Sequence, residues 1–264
     1  MKEWLNNRVA VITEASSGLG KAIVYALSRK GCHVVISSRN KEKLMEIEKD
    51  LSHSRNSVIS IPADVTDPAS VRRMVEETIE HFARIDYLIC NADEYFRCSV
   101  VDSTLALIQK AMNVNYFGTL NCIFEVLPHM LRRGKGHVII VSSMDAKKGI
   151  PPDSAYVASK KAIASYADVM RQELKPYGIN VSSIFIARVD TPMISDLEVS
   201  FISAKIKPEK VARAIVKAME YKKREIIIPK YGPRLLIILN CFSPALGDWL
   251  VKFFRLSGKE RKNH

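Results

Sequence analysis

The sequence predicts a single α/β domain, an open, doubly wound parallel sheet covered by helices on both faces. Three observations predict it. Short, β-branched runs alternate along the chain with stretches of helical periodicity, which is the order of repeated βα units. The runs are apolar almost throughout, as strands buried on both faces must be. The chain has 264 residues, 47% hydrophobic and 26% charged, enough for one substantial core, and no internal repeat, low-complexity stretch or linker divides it.

The elements follow in order. Arg8–Thr13 reads as the first strand, and a Ser/Gly turn leads into a helix with Leu19, Ile23, Ala26 and Leu27 on one face, ended at Gly31. Next come a strand at Val34–Ser37, a helix near Lys41–Leu51 and a strand at Val58–Ile61. Asp67 is placed to cap a helix with Pro68 in its first turn and an apolar face of Val71, Met74, Val75, Ile79 and Phe82. Strands at Tyr87–Cys90, His137–Val141 and Val181–Ile186 continue the pattern, with helices at Thr104–Arg133, broken near Val114, and at Ala155–Lys175. Glu225–Ile228 is a last strand. In open sheets of this kind ligands collect beyond the carboxyl ends of the strands, so the loops after the strands should carry the chemistry.

The formal charge of +12 would suit nucleic acid, an anionic membrane or phosphate-bearing ligands. The basic residues are spread along the chain without a reading motif, so no nucleic-acid partner is predicted. Five scattered cysteines, Cys32, Cys90, Cys98, Cys122 and Cys241, form no C-x-x-C pair, which points to no disulfide frame, no metal site and a reducing compartment. The first eight residues hold no apolar stretch of signal-peptide length, and the expected location is cytoplasmic.

Two motifs carry chemistry. The first loop, Thr13-Glu14-Ala15-Ser16-Ser17-Gly18-Leu19-Gly20, joins a strand to a helix whose free N–H groups can receive a pyrophosphate, and Gly18 and Gly20 let the backbone come close. Tyr156 and Lys160 lie four residues apart on one face of a predicted helix, after a strand that ends in Ser142 and Ser143. A phenol ordinarily titrates near pH ~10. A neighbouring ammonium would stabilise the phenolate and bring it toward the working range.

From Arg8 to about Pro229 the chain resembles the short-chain dehydrogenase/reductase family, in its branch of about 250 residues and with a Rossmann-like sheet. The first loop is similar to the family's T-G-x-x-x-G-x-G, Asp64 in Ala63-Asp64-Val65 to its adenine-contacting acid, and Asn91-Ala92 to the middle of N-N-A-G. Asn115 resembles the family's catalytic asparagine, Ser143, thirteen residues before Tyr156, its catalytic serine, and Thr191 the end of P-G-x-x-x-T. The resemblance implies an NAD(P)-dependent oxidoreductase. Tyr156 would exchange a proton with a carbonyl or alcohol oxygen and Ser143 would hydrogen-bond the same oxygen. Lys160 would bind the nicotinamide ribose and Asn115 would hold a water leading to Lys160. It implies a cofactor site of Ser16, Gly18, Leu19, Gly20, Arg39, Asp64, Val65, Asn91, Tyr156, Lys160, Val189 and Thr191. The second strand ends in Ser38-Arg39 where an NAD site usually has an acid, which favours NADP(H), with NAD(H) as the other cofactor.

Four positions depart from the pattern. Glu14 and Asp93 stand where the family has glycine, and Ile186-Ala187 where it has Pro-Gly. A carboxylate about 6 Å from a cofactor phosphate would cost on the order of 3 kcal/mol per charge. Two readings follow: a working reductase whose loops accommodate the acids, or a pseudoenzyme that keeps the fold and binds dinucleotide poorly.

Residues 1–232 are read as the catalytic domain and 233–264 as a hydrophobic and basic tail. Beyond Lys230-Tyr231-Gly232-Pro233 come Leu235–Leu239, then Trp249, Leu250, Phe253 and Phe254 at helical spacing on a shared face, with Lys259, Arg261 and Lys262 after them. Asn240, Pro244 and Asp248 exclude a spanning helix. The tail is read either as a peripheral membrane anchor or as a cover for the substrate pocket or a subunit contact. The resemblance to the family implies a fairly apolar ketone or alcohol as substrate and a homo-oligomer, dimer or tetramer, as the assembly.

Overall fold

Alternation along buried strands makes two cores, one on each side of a single sheet. In β1 (Val9–Thr13), Val9 and Val11 join one core while Ala10 and Ile12 join the other. The computed structural model describes residues 4–54, 56–200, 203–229 and 231–260. Lys230, Arg261 and Lys262, named above with the tail, lie outside the described residues.

After β1 the order is α1 (Gly18–Ser28), β2 (His33–Ser37), α2 (Lys41–Asp50), β3 (Val58–Ser60), α3 (Pro68–Phe82), β4 (Tyr87–Cys90), α4 (Leu105–Met112) and α5 (Thr119–Arg132). Then follow β5 (Gly136–Ser143), α6 (Ser154–Leu174), β6 (Ile179–Ile186), β7 (Leu197–Glu198), α7 (Pro208–Glu220), β8 (Glu225–Ile228), α8 (Gly232–Phe242), α9 (Pro244–Phe253) and β9 (Lys259–Glu260). The main sheet has the order β3-β2-β1-β4-β5-β6-β8, and every pairing is parallel. Side chains of α1, α2 and α7 fill one core and those of α3, α5 and α6 the other. The strand order reverses between β1 and β4, which places a ligand crevice beyond their carboxyl ends.

Local chemistry sets the helix starts. Asn40 caps α2 by accepting from Lys43 N (2.8 Å), Thr104 caps α4 from Leu107 N (3.3 Å), and Asp67 caps α3 from Ala69 N (3.0 Å) with Pro68 in the first turn. The break expected near Val114 is a wide π-type turn over Asn113–Gly118. Residues 208–220, left unassigned in the sequence reading, form α7, whose Val211, Ala212, Ile215, Val216 and Met219 are buried. The 3.6-residue spacing of those side chains was the signal.

The tail departs from expectation. Trp249 and Phe253 do not share a face with Leu250 and Phe254. The first two point outward and stack, with ring centroids 4.8 Å apart, while the other two line the cavity described below. Successive helical residues lie about 100° apart, enough to turn one i, i+4 pair outward while the next faces the cavity. Among the described residues no helix is long and apolar enough to cross a membrane. A short antiparallel pair, β7 with β9, ties the end of the described chain to the loop after β6.

At the opposite, amino ends of the strands, Asp86 joins three of them. Its N–H donates to Val9 O (2.9 Å), its carbonyl accepts from His137 N (3.0 Å), and its carboxylate accepts from Val9 N (3.0 Å) and from Arg84 (2.6 and 2.8 Å). Arg8 and Arg133 stand 3.4 and 3.3 Å away. Burial alone would raise this carboxyl, but the Arg84 and Val9 donors and the arginine charges hold it below the usual carboxylate range. An acid depressed on folding stabilises above its unfolded pKa and loses that contribution as pH falls through the folded value. Asp86→Asn is therefore expected to cost about 3 kcal/mol at neutral pH, by urea unfolding, because three guanidinium groups lose their partner. The parent should approach the variant as the pH falls below about 4. A loss under about 1 kcal/mol would mean that water alone satisfies the arginines.

Candidate active site

The carboxyl ends of β1, β4, β5 and β6 meet at a cavity of about 550 Å³. Its shape begins with Thr13, the buried last residue of β1. The Thr13 hydroxyl accepts from both Asn91 N (2.9 Å) and Ala92 N (3.0 Å), and Asn91 Nδ2 donates back to Thr13 O and Glu14 O (3.2 Å each). The loops after β1 and β4 are thus one hydrogen-bonded unit.

From this unit the first loop runs into α1. Ser17 makes no side-chain cap at the helix start, so the first-turn N–H groups remain available to an anion. Gly20 is obligatory there, since a Cβ would lie 2.1 Å from Glu14 O. Gly18 takes φ +52° with Thr191 packed over it. These features fit a dinucleotide pyrophosphate. Glu14 itself holds φ +49°, a conformation that suits the glycine it replaces. Burial raises the Glu14 carboxyl above its usual range, and Arg39 opposes the shift. Arg39 is exposed after β2. Burial would also raise the Asp64 carboxyl, but the Thr66 N–H (2.8 Å) and hydroxyl (2.7 Å) and then Arg39 bring it below the ordinary value. Leu19 and Val189 line the cavity, whereas Ser16 and Val65 are not among its lining residues; the Val65 carbonyl accepts from Asn121 Nδ2 (2.9 Å).

At the other end stand the proton-handling groups. Tyr156 and Lys160, one turn apart on α6, are both buried. The Tyr156 hydroxyl donates to Asp93 Oδ2 (3.2 Å), while Lys160 Nζ lies 3.1 Å from Asp93 Oδ1 and donates to Val141 O (3.2 Å). The Lys160 contact has the distance of an ion pair without hydrogen-bond alignment, and Asp93 Oδ1 is buried with no hydrogen-bond donor. Asp93 lines the same cavity as Glu14 and the glycine loop, and its carboxylate faces the Tyr156/Lys160 turn. The Asn91 lock turns the chain after β4 toward α6, and the acid enters between the phenol and the ammonium.

The Tyr156 pKa is shifted opposite to the expected depression, chiefly by burial. Burial pushes the phenol well above the ordinary tyrosine value, and the Asp93 and Asp145 charges add to it, while the nearby Ser143 hydroxyl pulls the other way. Lys160 offers little relief because its charge is already paired. Ser143 donates to Asp145 Oδ2 and accepts from Asp145 N, both at 3.1 Å. Asn115 does not reach Lys160 directly. Its Oδ1 accepts from Glu94 N (2.7 Å), and its Nδ2 donates to Glu94 O and Ser159 Oγ (2.9 Å each). It supports the loop after β4 from the wide turn that breaks α4 from α5.

Several residues of the site escaped the sequence reading. Asp145 is half-buried and pushed up to about 6, first by its partial burial and then by Asp153, against the charge of Arg188. Tyr95 meets Tyr156 edge to face at 4.9 Å and donates to Asp153 Oδ2 (3.1 Å). Nothing in their spacing announces these contacts; only the closeness of Asp145 to Ser143 and of Tyr95 to Asp93 in sequence was a signal. Ile186 and Ala187 line the cavity where the pattern has Pro-Gly. Above them the roof is apolar, with Leu236, Leu239, Leu250, Phe254 and Leu256 from the tail. The roof is fastened by Lys148 to Asp248 (2.6 Å), by Arg97 to Ser257 O (2.8 Å) and by Arg188 to Leu256 O.

With this geometry in view, comparison with known proteins is informative. Residues 8–199 match the family described as short chain dehydrogenase. The chain is 30% identical over 287 residues to dehydrogenase/reductase SDR family member 7B of Bos taurus, covering 100% of this chain and 85% of the relative. It is 30% identical over 252 residues to a fatty acyl-CoA reductase of Acinetobacter baylyi, covering 95% and 85%. Among solved structures, an alcohol dehydrogenase of Thermococcus sibiricus complexed with 5-hydroxy-NADP superposes with a TM-score of 0.77 at 24% identity, covering 84% of this chain and 95% of that one. Actinorhodin polyketide ketoreductase with NADPH gives 0.78 at 24%, with the same coverage. The fold agrees with the sequence match: the chain belongs to the short-chain dehydrogenase/reductase family of NAD(P)-dependent oxidoreductases.

Proposed function

We propose that this protein reduces a carbonyl group on a fairly apolar substrate, prefers NADPH to NADH, and uses Tyr156 as the proton donor. The observation that carries this reading is a buried phenol facing a cavity with a glycine loop at one end and an apolar roof above it. Ser16, Gly18, Leu19 and Gly20 would hold the pyrophosphate, Arg39 the 2′-phosphate, Asp64 and Val65 the adenine, and Asn91, Val189, Thr191 and Lys160 the nicotinamide half. When bound, the nicotinamide supplies the hydride. The chain supplies the rest: Tyr156 gives its proton to the substrate oxygen, Ser143 donates a hydrogen bond to that oxygen, and the roof excludes water. Asn115 fixes the loop that carries Asp93 and Glu94. The rival reading of a non-catalytic binding protein rested on two acids against the pyrophosphate, and Asp93 engages Tyr156 and Lys160 instead. The relatives' names support a reductase, and the fatty acyl-CoA reductase among them agrees with an apolar substrate.

The outer face of the tail supports a peripheral position on a membrane. Phe242, Trp249 and Phe253 are exposed there, beside the exposed basic residues Arg234, Lys252 and Arg255. Exposed Phe117, Phe124 and Val169 near the outer faces of α5 and α6 support a homo-oligomer.

Tyr156→Phe should lower carbonyl turnover by at least a hundredfold while NADPH affinity and the unfolding midpoint stay near the parent's, since only the transferable proton is removed. Turnover at the parent's rate would end the mechanism. Arg39→Asp should lower the ratio of NADPH to NADH affinity by tenfold or more in paired fluorescence titrations, because an acceptor for a 2′-hydroxyl replaces a cation for a 2′-phosphate. An unchanged ratio would make Arg39 a solvated turn residue. In flotation with anionic vesicles, the parent should rise with the lipid and Trp249→Ser with Phe253→Ser should stay behind, the difference shrinking at high salt. A parent that does not float removes the membrane reading, and a monomer mass without vesicles removes the oligomer.

A further inference from the structure

Among the described residues, Asp93 is the one carboxylate that touches both members of the Tyr156/Lys160 turn. Its Oδ2 accepts the phenol hydrogen at 3.2 Å and its Oδ1 lies 3.1 Å from the ammonium. The loop that carries it is not loose. Asn91 is bonded to β1, and Glu94 is bonded through both its N–H and its carbonyl to Asn115, so Asp93 is held from both sides.

We propose that Asp93 is a further catalytic residue: its carboxylate holds the Tyr156 hydroxyl hydrogen and pairs with Lys160, so that Tyr156 enters each cycle as a neutral acid, the form that reduces a carbonyl. The proposal rests on the reading of Tyr156 as the proton donor. A carboxylate at hydrogen-bond distance favours the protonated phenol for two reasons. It accepts the O–H bond that only the neutral form can offer, and it repels the phenolate. Its pairing with Lys160 removes the cation that would otherwise act the other way. The remaining neighbours do not reverse this balance. From the turn after β5 come Ser143, which stabilises the phenolate, and Asp145, which opposes it; Tyr95 packs on the ring from the loop after β4, with Asp153 behind it. Arg188, from the loop after β6, acts on Asp145. The overall equilibrium between ketone and alcohol belongs to the reactants and is untouched. What Asp93 sets is the pH range over which Tyr156 carries its proton. An arriving substrate oxygen would replace Asp93 as acceptor of the Tyr156 hydrogen; with the bound nicotinamide supplying hydride to the carbonyl carbon, the C=O π pair would take the proton as the Tyr156 O–H bond breaks, and a proton from solvent would restore the phenol.

The test compares the parent with Asp93→Asn, which keeps the shape and removes the charge, and with Asp93→Gly, should the amide disturb folding. Alkaline absorbance titration of each protein without cofactor, minus the same protein carrying Tyr156→Phe, isolates the ionisation of Tyr156. The step should move to lower pH by about one unit or more in both Asp93 variants, a tenfold change in the proton equilibrium. The rising limb of alcohol oxidation against pH should move with it, and NADPH titration of all three reads cofactor binding separately. A Tyr156 step that stays in place in an enzyme that turns over overturns the role of Asp93 alone. A protein that binds no NADPH and reduces no carbonyl overturns the reductase reading, and the catalytic role of Asp93 with it.

Discussion

The Thr13 hydroxyl is the joint on which the site turns. One oxygen at the end of β1 accepts two successive N–H groups at the end of β4, and the Asn91 amide closes the exchange by donating to the carbonyls of Thr13 and Glu14. The strand order reverses between these two strands, so their loops would otherwise splay apart. Joined, they present the glycine turn on one side and Asp93 on the other. The approach of Gly20 to the Glu14 carbonyl, too close for any side chain, depends on the same joint.

Around that joint the electrostatics are unusual for a turn of tyrosine and lysine. Glu14, Asp93, Asp145 and Asp153 gather at one cavity, answered by Lys160, Arg188 and Arg39. Burial dominates the shifts of Glu14, Asp145 and Tyr156, each toward its protonated form. A buried acid that gives up its charge costs less than one that keeps it without a partner.

The tail serves two faces with one pair of helices. Leu250 and Phe254 close the cavity from above while Trp249 and Phe253, one position earlier, meet the surroundings. Covering a pocket and offering an apolar surface are not alternatives when successive helical positions lie about 100° apart. The ion pair of Lys148 with Asp248 and the bonds of Arg97 and Arg188 to the carbonyls of Ser257 and Leu256 join roof to site.

The sequence by itself determined the parallel sheet, the order of its strands and of the helices from α1 to α6, the cap at Asp67, the break near Val114, and the Thr13–Gly20 and Tyr156/Lys160 motifs. Each is a local property, read from periodicity, backbone preference or short spacing. It also showed that positions 14 and 93 are acids. Only the tertiary structure decided what those acids touch, because Asp93 meets Tyr156 across 63 residues of chain and a phenol's ionisation depends on every charge folded against it. The tail's two faces waited on the fold for a related reason: a helical period says which side chains lie together, but packing alone decides which side is buried.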